Sequence, residues 1–479
     1  MVKCLNLRTI QDGLFSPEAI EGIVGVSTNW PYPQIFNGSS KVLLAGPDYI
    51  KQIDPTDLSL TTLSTYDAYN PNNLVSITPG GVWHFVDNID SWTMVNGISM
   101  LFNRAGFVLG ETERILVQSD VFINSCCQHK GRTIFGGFED EHFWNDAWED
   151  LWTTWSASWP SGIELSNYHL KDNFILWSSI GGSLFWLISS TQGTTGLVSG
   201  GYDSSRPILY DMIKRGDLGW MPMRWKGKIT FLASLGDYLI VYGDGGVTAL
   251  KSFTDPVPTF GEVHTWRVEV NSRGAVGVSE SKHIFVDSHG WLYKMTEREG
   301  IARLGFREYL SQLKYVDIVI SYDAEEQVFY ISDDDYCFCL TDDDKLFEVT
   351  TVVAGLSRYR GKLFGVYDYR GDPDCYFLTD RIDMNFTEAK LLSSVEIKTR
   401  SSQECYVQVS YTMRRGGEMI TAPSVPLNED GWARVQVSGV EFQISFAGVQ
   451  GTQVDSIIAK WQPLKLSNTR GDYVNQTNT

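Results

Sequence analysis

The residues of this chain most able to do chemistry are its acids. Glu139, Asp140, Glu141 and His142, with Asp146 nearby, carry oxygen and nitrogen ligands for a metal ion. Consecutive residues rarely converge on one ion, so a solvated acidic loop is the ordinary reading. Asp333, Asp334 and Asp335 precede the run Tyr336–Leu340, and Asp342, Asp343 and Asp344 follow it. A calcium loop needs oxygen ligands at alternate positions around a glycine bend. These runs have the oxygens without that spacing and read as acidic turns. The seven histidines are scattered, with no pair at metal-ligand spacing. The cysteines, Cys4, Cys126, Cys127, Cys337, Cys339, Cys375 and Cys405, fail the two-plus-two spacing of structural zinc. Odd in number, they also make no disulfide framework. No metal or cofactor is expected.

Nucleophilic and phosphate-binding motifs are missing too. The chain has no G-x-S-x-G elbow, no H-E-x-x-H and no G-x-x-x-x-G-K-[ST] loop. Gly243-Asp244-Gly245-Gly246 follows a strand pattern but opens no helix, so it reads as a hairpin turn. Carboxylate pairs for glycoside cleavage can be chosen almost anywhere among 58 acids, and that freedom removes their value. Arg-Gly-Asp occurs at 215–217, 370–372 and 470–472, where a turn is the simpler reading than an adhesion signal. The expectation is a protein that is not an enzyme.

The elements that would position these residues are strands. The 479 residues are 43% hydrophobic and 20% charged, with 44 glycines and many aromatics, a composition suited to strands and tight turns. Short apolar runs recur, among them Lys41–Ala45, Val82–Val86, Thr133–Phe138, Ser183–Ile188, Ile229–Ala233, Tyr238–Tyr242, His283–Val286 and Trp291–Met295. Several pair as hairpins, across 234–237 and 287–290. So many hairpins must close a barrel or repeat radially, because open edges invite aggregation. The triplets Lys130-Gly131-Arg132, Lys226-Gly227-Lys228 and Arg360-Gly361-Lys362 read as a faint radial repeat that delivers the chain into strands.

The expected fold class is therefore all-β. An arm over 1–20 leads to a β-propeller over 21–385, with six blades expected. The longer alternating runs of 386–465 predict an antiparallel β-sandwich, and a polar tail covers 466–479. One stretch breaks the β pattern. Trp144, Trp148, Trp152, Trp155 and Trp159 recur at helical spacing and would share one face, packed on their own domain or between subunits.

Acids outnumber basic residues 58 to 39, for a formal charge of −19. That balance argues against wrapping nucleic acid, which needs a basic surface. It leaves room for a protein that lets DNA pass without gripping it. No run reaches the length of a membrane span, and residues 1–20 lack the pattern of a secretory signal. The cysteine usage predicts reduced thiols in a chain folded in a cytosol.

Three segments resemble the tail nozzle or tail hub proteins of short-tailed bacteriophages, also called packaged-DNA stabilisation proteins: Gly219–Leu250, Arg273–Leu313 and Glu325–Thr350. They share the family's strand, turn and strand patterns. The resemblance implies a propeller that forms a ring of about six copies beneath the portal adaptor. Such a ring continues the DNA channel of the virion tail and anchors tail fibres or spikes. DNA would pass without sequence-specific binding, and the acids 139–141, 333–335 and 342–344 become candidates for an acidic lumen. The alternatives are a virion receptor-binding or baseplate propeller that binds protein or glycan, and a propeller hydrolase. If the tryptophan stripe lies between subunits, replacing Trp148 and Trp152 by alanine should weaken ring formation, measured by mass photometry. An unchanged oligomer would remove the stripe from the interface.

Overall fold

Short β-branched and aromatic runs, broken by Gly, Asp and Asn, satisfy their backbone polar groups by pairing with the next run across a tight turn. The computed structural model describes residues 3–5, 8–10, 13–15, 20–23, 33–38, 41–67, 73–87, 91–104, 115–119, 121–139, 171–178, 180, 219–253, 259–360, 362–369, 375–379, 381–399, 405–449 and 452–464. Among them the chain is all-β apart from the four-residue helix Arg307–Leu310 and a 3-10 turn at Tyr315–Asp317. It divides into two units. One comprises residues 20–337 and 352–368, the other residues 1–19, 338–351 and 369–479.

The first unit is a succession of sheets, each of which begins with a strand that lines a common cavity. These inner strands are β1 (Gln34–Asn37), β2 (His84–Asp87), β3 (Ile123–His129), β4 (Ile229–Leu235), β5 (Val276–Val278), β6 (Val319–Asp323) and β7 (Thr351–Tyr359). In the first five sheets three further strands follow in chain order. In the fourth, β4 pairs with Tyr238–Gly243, which pairs with Gly246–Phe253 and then Thr259–Trp266, all antiparallel. The predicted hairpins at 229–242 and 283–295 are therefore present, and Gly243-Asp244-Gly245-Gly246 is the expected turn.

Neighbouring inner strands are tied directly. Phe36 of β1 stacks on Phe85 of β2 at 5.3 Å between ring centres. His84 of β2 bonds Ser125 of β3 at 2.6 Å, and the Leu232 amide of β4 donates to the same Ser125 hydroxyl at 2.8 Å. Thr230 of β4 donates to the Val270 carbonyl, on the segment that leads to β5, at 2.6 Å. The Ile320 amide of β6 donates to the Gly274 carbonyl, two residues before β5, at 3.0 Å. Ser321 of β6 donates to the Ala354 carbonyl of β7 at 3.2 Å. Ser357 of β7 donates to Asn37 of β1 at 2.7 Å. This last bond returns to the starting strand, so the inner strands form a closed circle. At that seam a Cβ at Gly355 would lie 2.7 Å from the Ile35 nitrogen, so only glycine lets β7 pack so closely on β1. The seventh sheet also takes in Glu21–Gly22, parallel to Phe364–Gly365.

Among the described residues, seven inner strands line the cavity. The seventh sheet recruits a strand from the other end of the unit, which no local pattern reveals. The basic triplets are not equivalent either. Lys130-Gly131, with φ of 48° and 74°, turns the chain from β3 into Arg132–Phe138, and Arg360, with φ of 51°, follows β7. Lys226–Lys228 instead precedes β4, so that triplet is no part of a repeat.

In the second unit Cys375–Leu378 lies between Lys3–Leu5 and Glu441–Gly448, which pairs with Tyr406–Thr412. A second sheet runs in the order Arg8–Ile10, Gly13–Phe15, Gln453–Pro463, Lys390–Thr399, Trp432–Gly439. Phe377, Val407, Ile444 and Phe446 of one sheet share a core with Leu392, Ile397, Val437 and Val454 of the other. The predicted arm over 1–20 thus supplies strands to this unit, which takes up the chain again at 369 rather than 386. Lys390 is fully buried here, and its ammonium donates to the carbonyls of Phe386 (2.6 Å), Val440 (2.5 Å) and Glu388 (3.3 Å). The polar tail 466–479 lies outside the described residues.

Arg358 on β7 and Asp323 on β6 form a bidentate pair, with both bonds at 2.7 Å. The aspartate side chain is 1% exposed. Replacing Arg358 by alanine strands that carboxylate out of water and is expected to cost about 3–5 kcal/mol in urea unfolding. A loss below about 1 kcal/mol, the value of an exposed pair, would show that water reaches Asp323.

Candidate functional site

The inner strands line a half-open cavity of about 610 Å³. Among the described residues that line it, Arg273 is the one charged side chain, and none is a carboxylate. Aromatic and aliphatic groups, including Phe36, Phe85, Phe231 and Ile320, form much of its wall. Arg273 stands on the segment before β5 and crosses to the second sheet, where its Nη2 donates to the Val95 carbonyl at 3.3 Å. A Cβ at Gly97 would collide with its Nη1, and Gly97 has φ +92°, so glycine is required there twice over. The Nε of Arg273 is buried without a hydrogen-bond partner. Burial lowers the pKa of the guanidinium to about 10, which leaves it charged at neutral pH.

His84 joins Arg273 to the ring. Its Nε2 faces the Arg273 carbonyl at 3.2 Å and must carry the proton, so its Nδ1 accepts from the Ser125 hydroxyl. The Ser125 oxygen in turn accepts from the Leu232 amide. Burial, helped by the charge of Arg273, pushes the pKa of His84 well below 6.5. The serine–histidine contact resembles a nucleophile and its base, yet both groups are buried and the second ring nitrogen meets a carbonyl, not a carboxylate. Its bonds are spent on tying β2, β3 and β4 to the segment before β5.

A second histidine chain lies beside it. His283 donates from Nε2 to the Ser234 carbonyl at 3.1 Å and accepts from the Tyr242 hydroxyl at 2.8 Å. His129 shares a 2.7 Å bond with the Ser234 hydroxyl. Burial lowers the pKa of both histidines to about 4. The thiols of Cys126 and Cys127 are buried, and burial pushes both upward, away from the reactive thiolate.

The candidate acids separate into different roles. Asp333 is fully buried and accepts from the amides of Asp335 (2.9 Å), Tyr336 (2.7 Å) and Lys314 (2.7 Å). It caps a turn and faces no channel, which corrects its assignment to an acidic lumen. Asp334 and Asp335 both reach the Lys314 ammonium, at 2.7 and 2.8 Å, and their hydrogen bonds raise its pKa. Asp342 and Asp343 are exposed, with Asp343 2.7 Å from Lys345, while Asp344 is partly buried in a left-handed turn at φ 61°. Glu139 accepts from Asn124 at 2.6 Å and pairs with Lys228 at 3.3 Å. Asp140, Glu141 and the tryptophans 144, 148, 152, 155 and 159 lie outside the described residues. Among the described residues no three His, Cys, Asp or Glu side chains gather as a metal site. No helix among them is long and apolar enough to cross a membrane.

Sequence reasoning missed Arg273, His84 and Ser125. They come together from separate sheets, and no spacing along the chain marks them.

No family model matches the chain, and no curated protein does. Among solved structures it is similar to PorZ, described as an essential bacterial surface component of the type-IX secretion system of Porphyromonas gingivalis. That match has 8% identity and a TM-score of 0.33, and it covers 72% of this chain and 35% of PorZ. Hsv2 of Kluyvelomyces marxianus matches at 8% identity and a TM-score of 0.29, over 62% of this chain and 74% of that one. The extracellular domain of the one-component system BT4673 from B. thetaiotaomicron matches at 10% identity and a TM-score of 0.36, over 90% and 55%. Values this low carry no argument about function.

The buried histidines make stability depend on pH. An unfolded histidine takes up a proton near pH 6.5, whereas His129 and His283 in the folded chain resist until about pH 4. Stability is therefore full above pH 6.5 and falls as pH drops toward 4, by on the order of 1–2 kcal/mol per histidine at pH 5. The urea midpoint should fall between pH 7.5 and 5.0, a range in which most carboxylates stay ionised. A flat midpoint would mean these rings are solvated.

Proposed function

We propose that this chain is a structural protein of a short-tailed phage virion, a tail nozzle or hub whose copies form a ring around the DNA path. In this reading the first unit is a β-propeller of seven blades and the second a platform domain. The reading rests on the resemblance of segments 219–250, 273–313 and 325–350. The observation that carries it furthest is the placement of acids. Asp335, Asp342 and Asp343 stand exposed on turns, whereas the cavity inside the chain is lined by none. Such acids can present negative charge to a shared surface, where repulsion of phosphates lets DNA slide once released. Asp333, committed to its turn, has no part in that surface, and Lys314 and Lys345 offset some of the charge of their neighbours.

The ring unit also suits a rigid scaffold. Its polar interior groups hold sheet to sheet, so loops and turns remain to meet partners: the portal adaptor and tail fibres or spikes. Fold by itself does not decide among such roles. The deciding measurement is mass photometry of the purified chain, alone and with the portal adaptor, with negative-stain averages of the same samples. A closed ring of about six copies with a central hole is expected, as closed point-group assembly requires. A chain that stays monomeric in both samples and binds surface polysaccharide would replace the conduit with the receptor-binding alternative.

A further inference from the structure

We propose that the outward face of the sheet that contains Lys390–Thr399, in the second unit, is a self-complementary docking surface. Its occupant is a second copy of this chain, packed face to face about a two-fold axis. The inference stands apart from the tail reading: a cyclic ring is built from head-to-tail contacts, whereas a two-fold contact pairs chains whether or not they also close a ring.

Alternation defines the face. Val395, Ile397, Ala433 and Val437 point into the core, and Ile457 and Ala459 pack against it. Their neighbours along the strands therefore point outward. Register sets these in rows across the sheet: Trp432, Glu396 and Ile458 form one, and Arg434, Ser394 and Lys460 form the next. On the other side of the Trp432 row lie Lys398 and Ser456, and the turn that carries Glu429 and Asp430. Asn428 fixes that turn by accepting from the amides of Asp430 (3.2 Å) and Trp432 (2.7 Å), while both carboxylates stay exposed. Arg381 and Arg415 of the same unit reach Glu441, at 3.7 and 3.8 Å. The six charges of the face make no ion pair among the described residues.

The pattern matches itself. Asp430 and Arg434 each stand two residues from Trp432, on opposite sides. A two-fold axis along the Trp432–Ile458 row keeps the strands of the two copies nearly aligned, as packed sheets require. It lays Arg434 of each copy over the acid turn of the other and sets Ile458, 42% exposed, against its own copy. Lys460 leans over the Trp432 ring at 3.7 Å, which carries its ammonium toward the row where Glu396 of the second copy lies. An axis parallel to the strands would instead oppose Arg434 and Lys460, so charge selects the first arrangement. With a formal charge of −19, two copies repel on average, and contact is confined to faces where opposite charges meet. Nucleic acid fits less well: it would meet Glu396, Glu429 and Asp430, and Lys460 covers the ring on which a base would stack.

Cysteine cross-linking of the full chain tests this. Ile458→Cys, at an exposed position on the axis, should give a disulfide-linked dimer on a non-reducing gel after mild oxidation at low salt. A head-to-tail contact does not bring position 458 onto itself. Adding Arg434→Glu should lower the dimer yield by about fivefold or more, and so should adding Glu429→Lys with Asp430→Lys, because each change sets like charges together. An equal mixture of these two variants should recover the dimer, since every altered charge then meets its opposite; recovery also shows that both variants fold. Raising the salt to about 500 mM should weaken the parent dimer. No cross-linked dimer, a yield indifferent to the charge changes, or a mixture that fails to recover would overturn the proposal. Each of these results leaves the ring, read by mass photometry, to be judged separately.

Discussion

The structure of the first unit depends on closing a circle of inner strands. A single antiparallel sheet buries too little apolar surface to be stable alone and leaves two open edges. Here the inner strands are hydrogen-bonded or stacked to their neighbours, β5 through the segment Val270–Gly274 that precedes it. The last tie, Ser357 to Asn37, joins residues 320 positions apart. Glu21–Gly22, added beside Phe364–Gly365, draws the start of the unit onto its final sheet. Contacts of such separation form late, because loop-closure entropy must be met before they return any stability.

That geometry explains the polar interior. Groups at the inner ends of the sheets are removed from water, and each must find a partner across a sheet boundary. Ser125 serves β2 and β4 with one hydroxyl, and His84 and His283 each use both ring nitrogens. Burial holds these rings neutral, which their tautomers require. The result is a set of polar groups that resembles catalytic machinery in composition but works as fasteners. Arg273 and His129 are satisfied only in part: Nε of the guanidinium and Nε2 of the imidazole are buried without a hydrogen-bond partner.

Charge is arranged in the opposite sense to the total. The chain is acidic by 19 charges, yet among the described residues the wall of its cavity includes one basic residue and no acid. The acids stand at turns, where water solvates them, and several lie beside a lysine that sequence runs alone do not suggest. Asp333 shows how misleading a run can be. The first of three adjacent aspartates is fully buried and bonded to three amides, while the third is solvated.

Local physics made much of the fold legible. Period-two alternation and turn residues located strands at 42–45, 133–138, 229–235, 238–243 and 283–286 and the turn at Gly243–Gly246, because strand and hairpin preferences act over a few residues. Composition and charge were equally open to reading. The number of inner strands, the entry of residues 3–15 into the second unit, and the meeting of His84, Ser125, Leu232 and Arg273 were not. Each depends on residues brought together from separate sheets, and the energy that selects them is burial and hydrogen bonding across those gaps. The chain alone determines where strands and turns fall; only the closed ring decides which side chains share one cavity, because that choice exists only after the seventh strand meets the first.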